Sequence, residues 1–475
     1  MGRAAVNLDL RPLFPELTVV AAALVVLVGD VFVRGPRARM AWLVVGVLAV
    51  SAAAAPLWRS GDAAFGTLYA RDALGNALQA VALAVAGVGL LLARDYLVRT
   101  GLDRGEYYAL VLLSTVGAML MVASQDLLFL FVALETLSLP LYVLAGFARD
   151  SHRSQEASLK YFLLGSFASA LLLYGVALVY GVTGGTALSR LAEADASFPL
   201  LVGLGLLVVG LGFKAAVVPF HAWAPDVYEG APVPAVAFMS VVAKVGAVGA
   251  LLRILPVTVP HLLSAWQPLV AALSAATMLV GNLAALRQTN LKRMLAYSSV
   301  AHAGYLLIGV AAGSDAGVWS AVYYLAVYGA MNLGAFGVLT FLERAGVEAD
   351  EVEDLRGLAD RSPAAAAAFA VFMASLTGLP PTAGFVGKFY LFTAALEAGL
   401  LWLALVAVAT SVVSVAYYLR AAYVAYLGPA RAGVRVIRAP WAGVGLGLSA
   451  AATLLFGVLP GPLTSWAQRV AALLR

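Results

Sequence analysis

The sequence predicts an all-α integral membrane protein with about fourteen transmembrane helices. Hydrophobic residues make up 63% of the 475 residues and charged residues only 12%, and the mean hydropathy is +0.93. Soluble globular domains are about 45 to 50% apolar, so this chain is too apolar for that class. Apolar segments of about 20 residues recur along its length, each long enough to cross a hydrocarbon core as a helix. They do not alternate as β-barrel strands do.

Fourteen segments are predicted to span the membrane, and proline interrupts the seventh and the twelfth. They are 13–33, 41–57, 74–93, 107–123, 126–147, 158–182, 199–218 with a continuation to 230, 233–255, 263–286, 294–312, 317–342, 364–399 with a break, 402–425 and 440–458. The first segment has no small-residue cleavage site before the arginines that follow it. It is therefore predicted to be a retained helix and not a signal peptide.

The positive charges predict the orientation of these spans. Between the spans, one side of the membrane collects 19 lysines and arginines and the other side, with both termini, collects eight; three membrane lysines complete the total of 30. The side richer in lysine and arginine is normally cytoplasmic. Both termini are therefore predicted to lie outside, and the net charge of +5 needs no nucleic-acid partner to explain it.

The chain contains no cysteine, which excludes disulfides, thiol chemistry and iron–sulfur clusters ligated by this chain. It also lacks a glycine-rich nucleotide loop and a His-Glu-x-x-His zinc pattern. No metal or cofactor site is predicted here, and any electron transfer is expected on other chains.

Charged side chains inside the apolar segments are the main indication of function. A charge at the centre of a bilayer costs roughly 2.5 to 3.5 kcal/mol even on the more lenient insertion scale, so it normally faces protein or water. Three of the five lysines, Lys214, Lys244 and Lys388, occupy such positions. Desolvation can make a buried lysine gain and lose a proton near neutral pH, which an arginine does not do.

Glu135 and Lys214 are the candidate site residues of the first half. Glu135 follows the start of span five at Asp126 by nine residues, which places it roughly 13 Å deep. Lys214 precedes Pro219, and a helix through that proline must kink or break. Broken membrane helices line protein-walled or watery cavities. The structural alternatives are a protonated, hydrogen-bonded Glu135 and a Lys214 that extends to an interface.

Lys244 and His302 lie in the middle of spans eight and ten. Ser240 is four residues before Lys244, on the same helical face, and could hydrogen-bond it. Ser298 lies one turn before His302, and Tyr305 is close by. The pKa of histidine near physiological pH suits a proton relay, although a single histidine on an apolar face is often only a core residue.

Lys388 follows the second break, where Pro380 and Pro381 interrupt span twelve. Two broken spans, each with a lysine, at corresponding places in the two halves indicate an internal repeat with sites at the breaks. The break follows the lysine in one half and precedes it in the other, which is compatible with an inverted repeat. Other charges are given smaller roles: Asp226 and Glu229 are predicted to cap the short helix after the first break, and the acidic cluster of residues 343–360 to form a solvated loop.

Four segments together resemble a known family. They are Glu135 in span five, FKAAVVPFHAWAPDVYEGAP at 213–232, NLKRMLAYSSVAHAGY at 290–305 and GLPPTAGFVGK at 378–388. The chain resembles, over essentially its whole length, the antiporter-like subunits of proton-pumping NADH:quinone oxidoreductase, respiratory complex I. Within that family it is most similar to the N subunit, because the twelfth span carries a lysine where the M subunit is expected to have a glutamate.

The resemblance implies a fold, a set of roles and partners. The fold has two inverted five-helix repeats, helices 4–8 at residues 107–255 and helices 9–13 at 256–425. Helices 1–3 at residues 1–106 precede the repeats, and helix 14 at 426–475 follows them. Glu135 and Lys214 would form an ion pair, Lys244 and His302 would carry protons across the centre, and Lys388 would connect to the far side. NADH, FMN, iron–sulfur clusters and quinone would be bound by partner subunits. The partners would be neighbouring antiporter-like and small membrane subunits, and the termini would be periplasmic in a bacterial cell membrane.

Two other functions remain open from the sequence. A subunit of a multi-subunit sodium/proton antiporter shares these motifs but has no redox partner. A passive membrane anchor is the third possibility, but it does not explain why several costly charges lie at depth.

Overall fold

A computed structural model describes residues 10–33, 35–58, 63–64, 68–344 and 346–473. The described chain is almost entirely helical. Its α-helices, in chain order, are α1 (Phe14–Asp30), α2 (Pro36–Ala54), α3 (Ala73–Arg99), α4 (Gly105–Ala123), α5 (Leu127–Ala145), α6 (His152–Thr183), α7 (Leu188–Ala192), α8 (Phe198–Ala215), α9 (Trp223–Gly230), α10 (Val233–Leu252), α11 (Leu263–Ala285), α12 (Leu291–Ala311), α13 (Asp315–Leu339), α14 (Leu358–Arg361), α15 (Pro363–Thr377), α16 (Ala383–Glu397), α17 (Leu401–Tyr426), α18 (Pro440–Val458) and α19 (Gly461–Ala472).

Each predicted span corresponds to one helix or to a broken pair of helices. Within the described residues, twelve helices are long and apolar enough to cross a membrane. The other two predicted spans correspond to α2, whose apolar part is short, and to the α15–α16 pair, where the break leaves two pieces of 15 residues each. The chain is therefore a multi-pass, all-α membrane protein. The short helix α19 was not among the predicted elements.

Both predicted breaks are present in the structure. Helix α8 ends at Ala215, and Ala216 takes a left-handed conformation with φ of 62° before the chain resumes as α9. Helix α15 ends at Thr377 because Gly378 has φ of 91°, which suits glycine, and Pro380 and Pro381 cannot continue the helix. The breaks leave backbone carbonyl groups at the ends of α8 and α15 without helical partners.

Among the described residues, five short strands lie in the loops. Strands β1 (Ala63–Ala64) and β2 (Tyr69–Ala70) form a hairpin, whereas β3 (Leu342–Arg344), β4 (Val347–Glu348) and β5 (Val434–Val436) form an antiparallel sheet in the order β4-β3-β5. Glu343 of β3 is opposite Glu348 on one edge and Arg435 on the other. The sheet therefore joins the loop after α13 to the loop after α17.

Contacts between loops divide them into two groups. On the side that carries β3, β4 and β5, here called the sheet side, Arg39 donates to the Asp103 carbonyl, Arg99 to the Thr340 carbonyl, and Asn290 bridges to Glu351. On the opposite side, Arg253 pairs with Asp72 at 2.5 Å. These contacts agree with the alternation of loops from which the positive charges were counted.

The helices at the centre of the fold are enclosed by the others. In the apolar 18-residue segments of α10, α12 and α13, 100%, 94% and 89% of the residues are buried, whereas in those of α6 and α18 only 33% and 28% are buried. Small residues allow close contact between helices, as is usual in membranes: a Cβ on Gly117 of α4 would lie 2.2 Å from the backbone nitrogen of Leu137 in α5. Lys244 and His302 are carried by two of the enclosed helices.

The C-terminal helices pack against the beginning of the chain. The carboxylate of Asp95 in α3 accepts hydrogen bonds from the backbone N–H groups of Trp441 (2.7 Å) and Ala442 (2.9 Å) at the start of α18. Helix α19 packs on α13 and α3, and Thr464 in α19 hydrogen-bonds Tyr390 in α16 at 3.1 Å. The first three helices are therefore part of one packed unit with the last ones.

Candidate functional site

The lysines and the histidine selected from the sequence are buried. Lys214, Lys244, His302 and Lys388 are only 2%, 1%, 1% and 3% exposed, and Glu135 is partly exposed on α5. A buried charge is stable only with polar partners. The partners of each group therefore define the site.

Glu135 and Lys214 have separate partners and are not in ion-pair contact, although both lie within the described range 68–344. The Ser169 hydroxyl donates to Glu135 Oε1. Lys214 Nζ donates to the Tyr161 hydroxyl at 3.0 Å and lies 5.0 and 4.7 Å from the ring centroids of Tyr142 and Tyr161, in range for cation–π interaction. The two charges still interact electrostatically. The ion pair expected from the family resemblance is replaced by aromatic contacts to the lysine.

Lys214 lies beside the first helix break. It is the second-last residue of α8, and the indole N–H of Trp223 at the start of α9 donates to the Phe213 carbonyl at 3.0 Å. The Trp223 ring stacks on Tyr161 with centroids 4.2 Å apart. The break therefore brings the end of α8 and the start of α9 together around the ammonium group.

Lys244 binds groups from α10 and α12. Its Nζ donates to the Ser299 hydroxyl at 2.6 Å and to the backbone carbonyl of Ser240 at 3.4 Å. The predicted contact with Ser240 is thus to the main chain, since the Ser240 hydroxyl donates to the Ala237 carbonyl and accepts from Asn332 at 2.6 Å. The Tyr328 hydroxyl also donates to Ser299, at 2.9 Å.

His302 is held between two tyrosine hydroxyls. Its Nδ1 is 2.7 Å from the Tyr324 oxygen, and its Nε2 is 3.1 Å from the Tyr418 oxygen. Tyr418 in turn hydrogen-bonds Ser298. Tyr305, the neighbour expected from the sequence, contacts His302 through its ring, with centroids 5.6 Å apart. Both imidazole nitrogens therefore have a partner that can donate or accept a proton.

Lys388 spans the second break. Its ammonium comes from α16 and donates to the Leu376 and Thr377 carbonyls at the end of α15, both at 2.9 Å, and to the Ser411 hydroxyl of α17 at 3.0 Å. The Tyr305 ring centroid is 4.6 Å away. A cation at a helix C-terminus is favoured by the free carbonyls and the helix dipole. The break therefore supplies the site that holds the lysine.

Lys244, His302 and Lys388 form one continuous buried row. Tyr328 joins the first two: its hydroxyl shares Ser299 with Lys244, and its ring lies 5.1 Å from that of His302. Tyr305 joins the last two, because it contacts the His302 ring and the Lys388 ammonium. The structure thus brings together three of the five selected residues, while Glu135 and Lys214 form a separate group in the first half.

The tyrosines that contact the selected residues could not be selected from the sequence. Tyr161, Tyr324, Tyr328 and Tyr418 are fully buried, but tyrosine occurs often in apolar helices and carries no charge. A partial signal was present in α13, where Tyr324 and Tyr328 are spaced by one helical turn and share a face.

Two acidic predictions are corrected by the structure. Asp226 and Glu229 do not cap α9: Asp226 pairs with Lys160 (2.8 Å) and Arg293 (2.7 Å), and Glu229 pairs with Arg153 (2.8 Å) and Arg293 (3.1 Å). This network joins α6, α9 and α12 on the sheet side.

The acidic segment 343–360 is not simply a solvated loop. Asp354 has no exposed side-chain surface and pairs with Arg344 and Arg431. Glu348 accepts from Lys292 (2.6 Å), from the Tyr96 hydroxyl (2.6 Å) and from the Val233 N–H (3.0 Å). Burial alone would raise the pKa of Glu348, but the charge and hydrogen bond of Lys292, with the other donors, lower that pKa below the usual glutamate value. The carboxylate is therefore ionised at neutral pH.

Comparison with known proteins matches the part of the chain that contains the selected residues. Residues 124–414 match the family model described as "NADH:quinone oxidoreductase/Mrp antiporter, TM", and this range contains all five selected residues. The NADH-quinone oxidoreductase subunit N of Trichlorobacter lovleyi is 42% identical over 478 residues, covering 98% of each chain.

Solved structures show the same fold. A chain of respiratory complex I from Thermus thermophilus with bound aureothin has a TM-score of 0.82 and 36% identity, over 95% of this chain and 99% of that one. A chain of the Mrp complex from Dietzia sp. has a TM-score of 0.83 and 27% identity, over 97% and 96%. The family model matches a long part of the chain, and the relatives match it over nearly their full length. The chain therefore belongs to the family of NADH:quinone oxidoreductase and Mrp antiporter membrane subunits.

Proposed function

We propose that the chain is the N-type membrane subunit of an NADH:quinone oxidoreductase and moves protons across the membrane. One observation carries the proposal: the row of Lys244, His302 and Lys388 is buried, continuous and made of groups that exchange protons. A structural anchor would not need three titratable groups at this depth, because burying each one costs free energy that an apolar side chain would not cost. The full-length relatives that carry the name of subunit N support the choice within the family.

Each residue of the row has a role in this proposal. Lys244 holds the proton at the centre and passes it through Ser299 and Tyr328 towards His302, which can accept at one nitrogen and donate at the other. Lys388 receives it at the second helix break. The hydroxyl groups between these residues cannot store a proton at neutral pH, but they can carry one when internal water completes the chain.

Glu135 and Lys214 are proposed to form the equivalent site of the first half. Their charges interact without direct contact, and Lys214 is bound to Tyr161 next to the first break. The matching positions of the breaks in α8–α9 and α15–α16 support two repeats, at residues 107–255 and 256–425, flanked by residues 1–106 and 426–475.

The energy for transport is proposed to come from other chains. No three histidine, aspartate or glutamate side chains of the described residues gather as a metal site, and the chain has no cysteine. In this proposal, partner subunits hold NADH, FMN, the iron–sulfur clusters and quinone. This chain contributes to the translocase without a redox site of its own, alongside neighbouring antiporter-like and small membrane subunits.

The similarity to an Mrp complex chain favours a second candidate function, sodium/proton antiport. The two functions differ in what drives the proton. The purified complex that contains this chain is reconstituted in liposomes. Addition of NADH and a quinone is then expected to acidify the liposome lumen, without any requirement for sodium. Proton movement driven by a sodium gradient in the absence of NADH would instead assign the chain to the antiporter class.

Replacing Lys244 with methionine is expected to lower the pumping rate at least tenfold, because methionine fills the space but holds no proton. Lys160→Met is the matched control. The Lys160 side chain is 41% exposed on the sheet side, so this variant is expected to pump normally. Pumping is measured with a pH-sensitive dye, and the amount of complex on native gels. Normal pumping by Lys244→Met would contradict the proposed row.

The sheet side is proposed to be cytoplasmic, because its loops carry most of the arginine and lysine. A reporter fused after Arg475, which lies outside the described residues, is then expected to be active in the periplasm. A reporter inserted at Glu351 is expected to be active in the cytoplasm. Activity of both reporters on one side would overturn this orientation.

A further inference from the structure

A cavity on the sheet side leads to a buried ion pair that the proposed row does not use. The cavity has a volume of about 710 Å³, and its walls are strongly charged. They include Arg99, Arg149, Arg153, Asp350, Glu348 and Lys292. A wide charged cavity of this size holds water, so it brings solution to whatever lies at its inner end.

The pair of Lys292 and Glu348 forms part of the cavity wall. The Lys292 side chain is 2% exposed and that of Glu348 is 22% exposed, so the lysine lies behind the carboxylate. Lys292 is the second residue of α12, and its ammonium also binds the Ala231 carbonyl at 2.8 Å. Glu348 binds the first N–H of α10, at Val233. The pair therefore touches the starts of the two helices that carry Lys244 and His302.

Polar groups continue inward from this pair. On α13, the polar side chains of Tyr328 and Asn332 lie one turn apart on a single face, and the apolar ring of Phe336 lies one turn beyond Asn332. Tyr328 and Asn332 reach the Lys244 environment through Ser299 and Ser240, respectively. Asn332 Oδ1 is a buried acceptor with no protein hydrogen-bond donor, which makes it available to an internal water.

Tyr228 is three residues before Ala231, whose carbonyl binds the Lys292 ammonium. It lies in α9, is 1% exposed and packs against Phe336 with centroids 6.1 Å apart. Because Lys244 and Tyr328 both donate to Ser299, the Ser299 hydroxyl proton is free to be donated to an internal water. Hydroxyl and amide groups thus cover the roughly 16 Å of α10 between Val233 and Lys244.

We propose that Glu348 and Lys292 are the residues through which protons pass from the sheet-side solution to Lys244. When Lys244 has lost its proton, an N–H bond of the Lys292 ammonium breaks, and that proton moves inward through Tyr228, Ser299 and internal water to form a new N–H bond on Lys244. A hydronium ion in the cavity then protonates Glu348, which returns the proton to the neutral Lys292 amine. The charge of the pair is restored, and one proton has moved inward.

This inference rests on the proposed function, and a second ion pair provides its control. Arg94 and Asp103 are also buried on the sheet side, with side chains 5% and 6% exposed and a contact of 2.5 Å. Neither lines the cavity. Both pairs therefore join one cation to one carboxylate on the sheet side, and in each pair the cation is at most 5% exposed. Glu348 is more exposed than Asp103, and only the pair of Glu348 and Lys292 lines the cavity.

The first test replaces both members of each pair, so that no buried charge is left without its partner. The double variant Glu348→Gln with Lys292→Gln is expected to lower the pumping rate of assembled complex at least fivefold. The double variant Arg94→Gln with Asp103→Asn is expected to pump within twofold of the unaltered protein. Normal pumping by the first variant would overturn the proposal. Equal losses in both would also overturn it, because any buried pair on this side would then have the same effect.

A second test uses folded, assembled protein and does not depend on the stability of these variants. Because the chain has no cysteine, Thr100→Cys places one thiol on the cavity wall, and Ala432→Cys places one outside it on the same side. A bulky cationic thiol reagent is expected to slow pumping at least threefold in the first variant and not in the second or in the unaltered complex. Equal pumping before and after labelling of Thr100→Cys would contradict uptake through the cavity.

The two proposals can fail separately. If Lys244→Met pumps normally, the proposed function itself is wrong. If Lys244→Met is impaired but the Glu348 and Lys292 double variant and the labelled Thr100→Cys variant pump normally, the row is retained and only this uptake site is rejected.

Discussion

Replacing Lys388 with alanine is expected to remove most proton pumping, at least tenfold in rate, while the complex still assembles. The substitution deletes the proton-binding group at the end of the row. It also leaves the Leu376 and Thr377 carbonyls without the ammonium that they bind, at a cost of about 1 to 3 kcal/mol if no water replaces it. Helices α15 and α16 themselves do not depend on this contact.

Lys388→Arg separates the two effects of that lysine. A guanidinium can still donate to the carbonyls at the end of α15, so the break remains capped, but it does not release its proton at working pH. The arginine variant is therefore expected to be as stable as the unaltered protein and to pump as poorly as the alanine variant. Phe389→Ala, on the exposed face of the same helix, is the control. If Lys388→Ala pumps at the unaltered rate, Lys388 serves only to cap the break.

Replacing Gly117 with alanine is expected to prevent stable packing of α4 against α5. The added Cβ would lie 2.2 Å from the nitrogen and 2.5 Å from the Cα of Leu137, and these backbone atoms cannot move independently of the helix. Overpacking of side chains typically costs about 1 to 3 kcal/mol, and a clash with backbone should exceed that range. The hydrogen bond from the Ser114 hydroxyl to the Leu137 carbonyl, 3.2 Å long, would be lost as well.

The measurement is the amount of chain found in assembled complex, together with its thermal stability. Gly205→Ala is the control, because a Cβ at Gly205 meets no atom within 4 Å and alanine favours the helix. We expect little assembled complex with Gly117→Ala and a normal amount with Gly205→Ala. Normal amounts of both would show that the α4–α5 contact can widen.

The features that could be predicted are those with a strong signal in a single segment. The spans follow from apolar length, and the two breaks from Pro219, Pro380 and Pro381. Lys214, Lys244 and Lys388 could be selected because a lysine inside an apolar segment is costly wherever the helix packs. None of these inferences needs knowledge of which helices are neighbours.

The features that could not be predicted depend on which helices are neighbours. The Ser299 contact of Lys244 joins α10 to α12, and the Tyr418 contact of His302 joins α12 to α17, across 55 and 116 residues. The sequence also gave no means to learn that Tyr161 would take the place next to Lys214 expected for Glu135. Glu348 was predicted to lie in a solvated loop because its partner Lys292 is far from it in the chain. The apolar pattern of a helix does not reveal which tyrosine hydroxyls will be buried.

The contact between Asp95 and the start of α18 has a consequence for the order in which the chain is made. Asp95 is inserted with the third span, but its two N–H donors are 346 and 347 residues later, in the last of the predicted spans. Throughout translation the carboxylate therefore lacks these two donors, and the surface of α3 that α18 covers faces lipid. Because N-terminal parts of a chain are synthesised first, this contact can close only after the start of α18 has been made. A product truncated before α18 lacks both of these donors to the Asp95 carboxylate, which distinguishes it chemically from a chain that contains α18.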